Sequence, residues 1–375
     1  MRRRQFLRTS GAALIGSLAG RRVESQPSAD AVVMTVLGPI APASFGSALC
    51  HEHVLVDFVG AEKVSPARYD ANDAYEVALP HLRRAFDLGC RGFVECTPAY
   101  LGRDVRLLKR LAKATGLHFL TNTGYYGAAD DKYVPRDAYD ASPDGLADRW
   151  VAEWERGIEG TGIRPGFIKT GVDAGTLSAI DRKLVQAAAR THARTGLTIA
   201  SHTGDTRAGV EQLEILAAEG VDAAAFVWVH AQSDWQPDAR VAAARAGAWI
   251  EVDNVAPASV GEGVAHLTTM KERGALQRLL VSHDAGWYRP GEPRGGDFRG
   301  FDTLYTAFIP ALREAGWSDA EVRQLLVLNP AAAFAVRRRV RSRARRPPHP
   351  GQAAEAQPAP LARPPVPRLT RRSLG

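Results

Sequence analysis

The sequence predicts an α/β protein built as a (β/α)8 TIM barrel. Three observations lead there. Apolar runs of strand length alternate with longer segments of helical periodicity through most of the chain. Eight such strands are spread over about 300 residues, near the ~250 typical of a barrel. An open doubly wound sheet would carry a Gly-rich nucleotide loop after its first strand. The run here is Cys50-His51-Glu52-His53 instead.

The predicted strands are Ala48–Val54, Gly92–Cys96, His118–Asn122, Gly166–Lys169, Thr198–Ser201, Ala225–Val229, Trp249–Val252 and Gln277–Ser282. Between them, Val105–Thr115 carries Leu107, Leu108 and Leu111 on one helical face. Asp181–Thr195 does the same with Leu184, Val185, Ala188 and Ala189, and Val210–Glu219 with Leu213, Leu216 and Ala217. Gly89, Gly116, Gly196, Gly220 and Gly247 precede strands and suit left-handed helix caps.

The two ends read differently. Residues 1–30 begin with Arg2, Arg3 and Arg4, followed by an apolar stretch from Gly11 to Ala19. That is the shape of an export signal. Arg3-Arg4-Gln5-Phe6-Leu7 resembles a twin-arginine signal, so the expected location is periplasmic or secreted. No other stretch approaches the ~20 apolar residues of a membrane span, so no stable span is expected unless the signal stays uncleaved. Residues 337–375 are rich in Arg, Pro and Ala, and are predicted to be a disordered tail. Residues 31–336 form the predicted barrel domain.

The charge follows the same division. The tail holds eleven Arg and one Glu; the first 30 residues hold six Arg, one Glu and one Asp. Against a chain total of +7, residues 31–336 carry −7. The positive charge lies outside the fold, which argues against a nucleic-acid partner. Three cysteines, Cys50, Cys90 and Cys96, make no disulfide framework, and the first and last sit in apolar runs as core residues.

A barrel enzyme carries its working residues at the C-terminal ends of the strands. His51 and His53 stand at the end of the first strand, Lys169 at the fourth, His202 after the fifth, His230 after the sixth, and His283 and Asp284 after the eighth. Positions i and i+2 of a strand share a face, so His51 and His53 can reach one metal while Glu52 points away. Imidazole and carboxylate are preferred ligands of zinc and similar ions. An ammonium ion is no ligand, but a desolvated lysine loses its proton readily, and the neutral amine can add carbon dioxide to become a carbamate. His81, His118, His192 and His266 fall inside helix or strand bodies and read as structural; His349 lies in the tail.

With these residues in order, the chain resembles the phosphotriesterase family of the amidohydrolase-like barrels. The resemblance rests on Cys50-His51-Glu52-His53-Val54, Gly166-Phe167-Ile168-Lys169, Ser201-His202-Thr203, Val229-His230 and Ser282-His283-Asp284. Gly102-Arg103-Asp104-Val105 and Asn329-Pro330-Ala331 also match, and the whole covers residues 35–336. It implies two divalent ions, zinc before manganese, cobalt or iron. His51, His53 and Asp284 would hold one, His202 and His230 the other, and a carbamate on Lys169 would bridge them. It further implies a metal-bridged hydroxide attacking a small-molecule lactone, carboxylic ester or phosphotriester, with Asp284 as general base. Dimers are common among similar proteins, so a homodimer is compatible with the reading.

Departures from the family pattern bear on the substrate. Ser233 stands at the acidic relay position, with Asp234 displaced by one. Asp253 matches, but Asn254 stands where phosphotriesterases have His and many lactonases have Arg, which puts triester activity in doubt. Tyr126, Asn254, Trp287, Tyr288 and Arg289 are the candidate substrate contacts, the last three on a long loop after the eighth strand. Two other readings stay open. A mononuclear amidohydrolase or deaminase would use the His-x-His and Asp without Lys169, and a binding protein would keep the barrel without turnover.

Overall fold

A computed structural model of the chain describes residues 31–340. The predicted export signal and the predicted tail from residue 341 onward lie outside the described residues.

The chain is a (β/α)8 barrel. Its strands are β1 (Ala48–Leu55), β2 (Gly92–Glu95), β3 (in two pieces, His118–Leu120 and Asn122–Thr123), β4 (Phe167–Val172), β5 (Thr198–Thr203), β6 (Phe226–Val229), β7 (Trp249–Val252) and β8 (Leu279–Val281). Neighbours pair in parallel and in sequence order from β1 through β8. The segment just after β8 meets β1 through two backbone bonds. Asp284 N–H donates to the His51 carbonyl at 3.0 Å, and His53 N–H to the Ala285 carbonyl at 2.9 Å. Beyond β8 the segment Gly286–Tyr288 continues along β1, with Gly286 opposite His53.

Alternate strand residues point into the barrel, where Ala48, Cys50, Val94, Cys96, Leu120, Phe167, Ala200, Val227, Val229, Trp249 and Leu280 form one apolar plug. The other set packs outward under the helices. Those helices include α1 (Ala71–Asp87), α2 (Val105–Thr115), α3 (Pro143–Arg156), α4 (Ala179–Thr195), α5 (Thr206–Ala218), α6 (Pro237–Ala246) and α7 (Val260–Glu272). Their starts follow from short polar side chains that accept the first free N–H groups. Asp104 caps α2, Ser178 with Asp181 forms a capping box on α4, and Asp205 caps α5. Gly116, Gly196 and Gly247 end α2, α4 and α6 with positive φ, as the sequence predicts. None of the described helices is long and apolar enough to cross a membrane. The three cysteines are buried and free.

Several predicted boundaries shift. β4 runs three residues beyond Lys169, to Val172, so the lysine stands in the body of the strand rather than at its end. β5 likewise takes in His202 and Thr203. Gly171 allows the extension: a Cβ there would meet the Tyr126 ring at 2.8 Å. β8 is shorter than predicted because Leu276–Arg278 tightens into a 3-10 turn.

The largest difference is at the C-terminal end. The basic composition from Arg337 reads as tail, yet Arg337–Val340 packs beneath the barrel. Arg337 N–H donates to the Gly196 carbonyl, Asp222 N–H to the Arg339 carbonyl, and Val340 bridges Val221. The buried Arg339 guanidinium donates to Thr198 Oγ1 and to the carbonyls of Ala332, Ala333 and Ala335. Free carbonyls at the close of the final helix thus receive a donor fork that sequence composition does not reveal.

His192 ties this segment down. Its Nδ1 donates to the Leu197 carbonyl, and its Nε2 accepts the Arg339 N–H, both at 2.8 Å. Burial lowers its pKa to about 4. The folded value lies below the unfolded one of about 6.5, so this contribution to stability is full above pH 6.5 and is lost as pH falls through 4. It amounts to about 3 kcal/mol at most. Denaturant titrations at stepped pH should show that His192→Asn removes this part of the acid sensitivity. A variant whose stability falls between pH 6.5 and 4 as steeply as the parent would contradict it.

Candidate metal centre

Five side chains of the predicted ligand set converge where the strands end inside the barrel. His51 and His53 project inward from β1 with ring centroids 5.3 Å apart. His230, at the turn after β6, stands 5.0 Å from His51 and 4.5 Å from His202. Asp284 Oδ1 lies 3.1 Å from His53 Nε2 and 3.8 Å from His51 Nε2. The ligand atoms of His51, His53 and Asp284 all fall within 4.8 Å of one another, a spacing that suits one ion. Lys169, the sixth, is buried on β4, and its Nζ lies 5.9 Å from the Tyr126 ring centre. No carboxylate pairs with it among the described residues.

The opposite nitrogen is hydrogen-bonded in two of these imidazoles and faced by carboxylates in a third. His53 Nδ1 bonds Thr97 Oγ1 at 2.8 Å, and His230 Nδ1 bonds Asp253 Oδ1 at 2.7 Å. The second oxygen of Asp253 faces His51 Nδ1 at 3.1 Å, with Glu251 Oε2 at 3.4 Å. One carboxylate on β7 therefore steers two imidazoles, the arrangement that orients metal-binding histidines. His51, His230 and Asp253 also form a group close enough to hold an ion. The contacts to Nδ1 favour Asp253 as the orienting group, because they leave Nε2 of both rings free.

The electrostatics fit ligation at Asp284, His53 and His202, whereas His51, which burial alone would lower, is held above the usual imidazole range by Cys96 and Asp253. Burial alone would raise the Asp284 carboxyl, but the His53 hydrogen bond and the charges of His51, His53 and His230 outweigh it and hold the carboxyl well below the usual range. Asp253 is likewise pulled down against its burial, chiefly by His230. Burial lowers His53 and, more strongly, His202, keeping both imidazoles neutral as metal binding demands. Glu251 is pushed up by burial.

Glu52 turns away from this cluster, as its place between two inward histidines requires, and does something the sequence reading did not foresee. Its Oε1 accepts from Ser282 Oγ, His283 N–H and His283 Nδ1 at 2.6–3.0 Å, and its Oε2 accepts from Ala285 N–H at 2.9 Å. His283, with Nε2 accepting the Leu304 N–H, is a structural residue.

The candidate substrate contacts divide. Tyr126 sits at the site, its ring 5.2 Å from His202. Asn254 follows β7 with a buried Oδ1 that has no partner. Trp287 places its indole 6.2 Å from His53, edge-on, with Phe58 5.9 Å away on the outer side. Tyr288 and Arg289 meet other partners first. The Tyr288 hydroxyl donates to Asp73 on α1, and Arg289 pairs with Glu292 inside its own loop. The loop folds back on itself and on α1, which turns the Tyr288 hydroxyl to the helix and leaves Arg289 beside Glu292 with an Nε that makes no hydrogen bond. Thr97, Glu251 and Phe58 were missed. The signal for Glu251 is its i, i+2 spacing to Asp253, which puts both carboxylates on the inward face of one strand.

The family model of the phosphotriesterase family matches residues 31–334. The phosphotriesterase homology protein of Escherichia coli strain K12 is 31% identical over 293 residues, covering 77% of this chain and 98% of that one. The N-acetyltaurine hydrolase of Danio rerio is 27% identical, covering 80% and 96%. A solved structure described as organophosphate hydrolysis activity engineered from a weak promiscuous lactonase template superposes with a TM-score of 0.73 at 29% identity, covering 81% of this chain and 99% of that one.

The Glu52 contacts generate a stability prediction. Glu52→Ala leaves four buried donors without an acceptor and should cost about 3–5 kcal/mol, read as a shifted urea midpoint. A loss under ~1 kcal/mol would mean that the β1–β8 seam does not depend on this carboxylate.

Proposed function

The chain belongs to the phosphotriesterase family and is a hydrolase of ester or amide-like bonds, and on that premise we propose a binuclear metal site acting on a lactone or carboxylic ester. The observation that carries the proposal is the convergence of His51, His53 and Asp284 on one point, beside a buried Lys169 that makes no close ion pair among the described residues. His51, His53 and Asp284 would hold one ion, and His202 and His230 the second. Lys169 as a carbamate would supply the bridging oxygens. The donor set is imidazole and carboxylate, which suits zinc, with manganese, cobalt and iron compatible. Bound divalent ions supply a water of lowered pKa and polarise the substrate oxygen.

The protein's own groups do the rest. Asp284, ionised and a quarter exposed at its side chain, can take a proton from the attacking water. Asp253 and Thr97 hold the imidazoles to their bearing. The phenol of Tyr126, kept protonated by burial, is a donor for the substrate. Trp287 and Phe58 line the entrance with apolar surface suited to an acyl chain. Asn254 cannot relay a proton by titrating, which favours lactones and esters over phosphotriesters.

Metal analysis of fresh protein should find two ions per chain, and intact mass an adduct of ~44 Da that disappears on acidification. Lys169→Ala should lose at least one ion and at least ~100-fold in ester hydrolysis, since even groups behind the ligands are worth 10–100-fold. One ion, no adduct and an indifferent variant would instead indicate a mononuclear amidohydrolase. We also propose export, supported by Arg3-Arg4-Gln5-Phe6-Leu7 and the apolar stretch after it. Replacing Arg3 and Arg4 by Lys should keep the protein in the cytoplasm, as cell fractionation would show; unchanged export would refute the signal.

A further inference from the structure

Arg299 occupies a position at the mouth that the reaction just described does not use. Its backbone is tied to Gly286 by two bonds, Gly286 N–H to the Arg299 carbonyl at 3.1 Å and Arg299 N–H to the Gly286 carbonyl at 3.0 Å. Gly286 is two residues beyond Asp284. The guanidinium lies 4.8 Å over the Trp287 ring and donates to the Asp284 carbonyl. Trp287 in turn stands edge-on to His53. This cation therefore stands at the edge of the candidate metal centre, on the Asp284 backbone and over the indole that faces His53.

The arginines nearby are already neutralised. Arg289 pairs with Glu292, Arg294 with Asp73 and Glu76, and Arg68 with Asp57. Arg299 has no carboxylate partner among the described residues. It is solvent-exposed, and a guanidinium carries five N–H donors in a planar fork. Backbone pairing, the ring beneath it and the Asp284 carbonyl fix its place before any ligand arrives, which reduces the ordering cost of binding. A pre-placed, unpaired guanidinium recognises carboxylate, sulfonate or phosphate groups through paired hydrogen bonds.

We propose that Arg299 is a specificity-determining residue that grips an anionic end of the substrate, so that the preferred substrate is an ester or amide carrying a negative group at the end remote from the bond cleaved. The apolar middle of such a molecule lies along Trp287 and Phe58. The proposal rests on the hydrolase reading for its reaction but not for its binding step.

The test uses the metal-loaded full chain and two p-nitrophenyl esters of equal length, the half-ester of adipic acid and the hexanoate. The parent should favour the anionic ester. Arg299→Met should raise KM for it by about 10- to 100-fold, the worth of a charge-assisted pair, while leaving kcat and the hexanoate within about twofold. Arg299→Lys should recover part of the loss. Calorimetry with adipate alone supplies a readout independent of turnover: binding by the parent, lost in Arg299→Met. Equal loss on both esters, or a lowered melting temperature without discrimination, would assign Arg299 to bracing the turn and overturn the proposal. If neither ester is hydrolysed but adipate still binds through Arg299, the hydrolase reading fails and the anion subsite stands.

Discussion

Everything at the mouth of this barrel depends on one buried carboxylate facing the other way. Glu52 collects four donors from the segment that follows the last strand. It therefore fastens the first strand to the eighth at the height where the ligands stand. A register shift between Leu49 and Glu52 lets Cys50 and His51 both face the interior, and from there alternation sets Glu52 outward with His51 and His53 inward. The same bonds pin the backbone on either side of Asp284, which takes a positive φ of 53°. A non-glycine residue rarely adopts that conformation, and it persists when the surroundings over-determine it. The Glu52 clasp and the Asp284 N–H to His51 carbonyl bond supply that constraint. Three ligands on two strands thus share one structural cause.

The polar groups around the site form a graded set. Asp284 and Asp253 are driven to ionise by the histidines, while Glu251, deeper and less well paired, is driven by burial toward its neutral form. The neutral His53 and His202 face the ionised carboxylates across a space of a few ångströms. Lys169, the residue proposed to carry the carbamate, is buried among them, and the Arg299 guanidinium stands at the rim. A centre that gathers divalent ions needs this asymmetry: neutral nitrogen donors inside, a few committed anions, and no surplus of fixed positive charge.

Much of the centre was legible because its residues obey strand periodicity and recur at successive strand ends. His51 and His53 at i and i+2, and histidines following the fifth and sixth strands, need no tertiary information. The barrel itself was legible for a related reason, since Asp104, Ser178 and Gly196 mark helix ends through purely local bonds. What remained hidden depends on partners distant in sequence. Glu52 was correctly read as pointing away, but its donors lie 230 residues on. Tyr288 carries suitable chemistry for a substrate, yet its hydroxyl donates to Asp73, 215 residues away. Arg337–Val340 reads as solvated by composition, and only the carbonyls left free by the last helix explain why Arg339 is buried. Lys169 was expected at a strand end because the run of apolar residues stops there; Gly171 and His202 continue the pairing without an apolar signal.

The two ends of the described chain meet beneath the barrel. Val32 bridges Val336 there, and Val340 lies against Val221, at the foot of the strands. The mouth that holds the histidines is at the opposite pole. Both ends of the described residues therefore leave the barrel from its base, and a change made there lies at the opposite pole from every ligand-bearing turn.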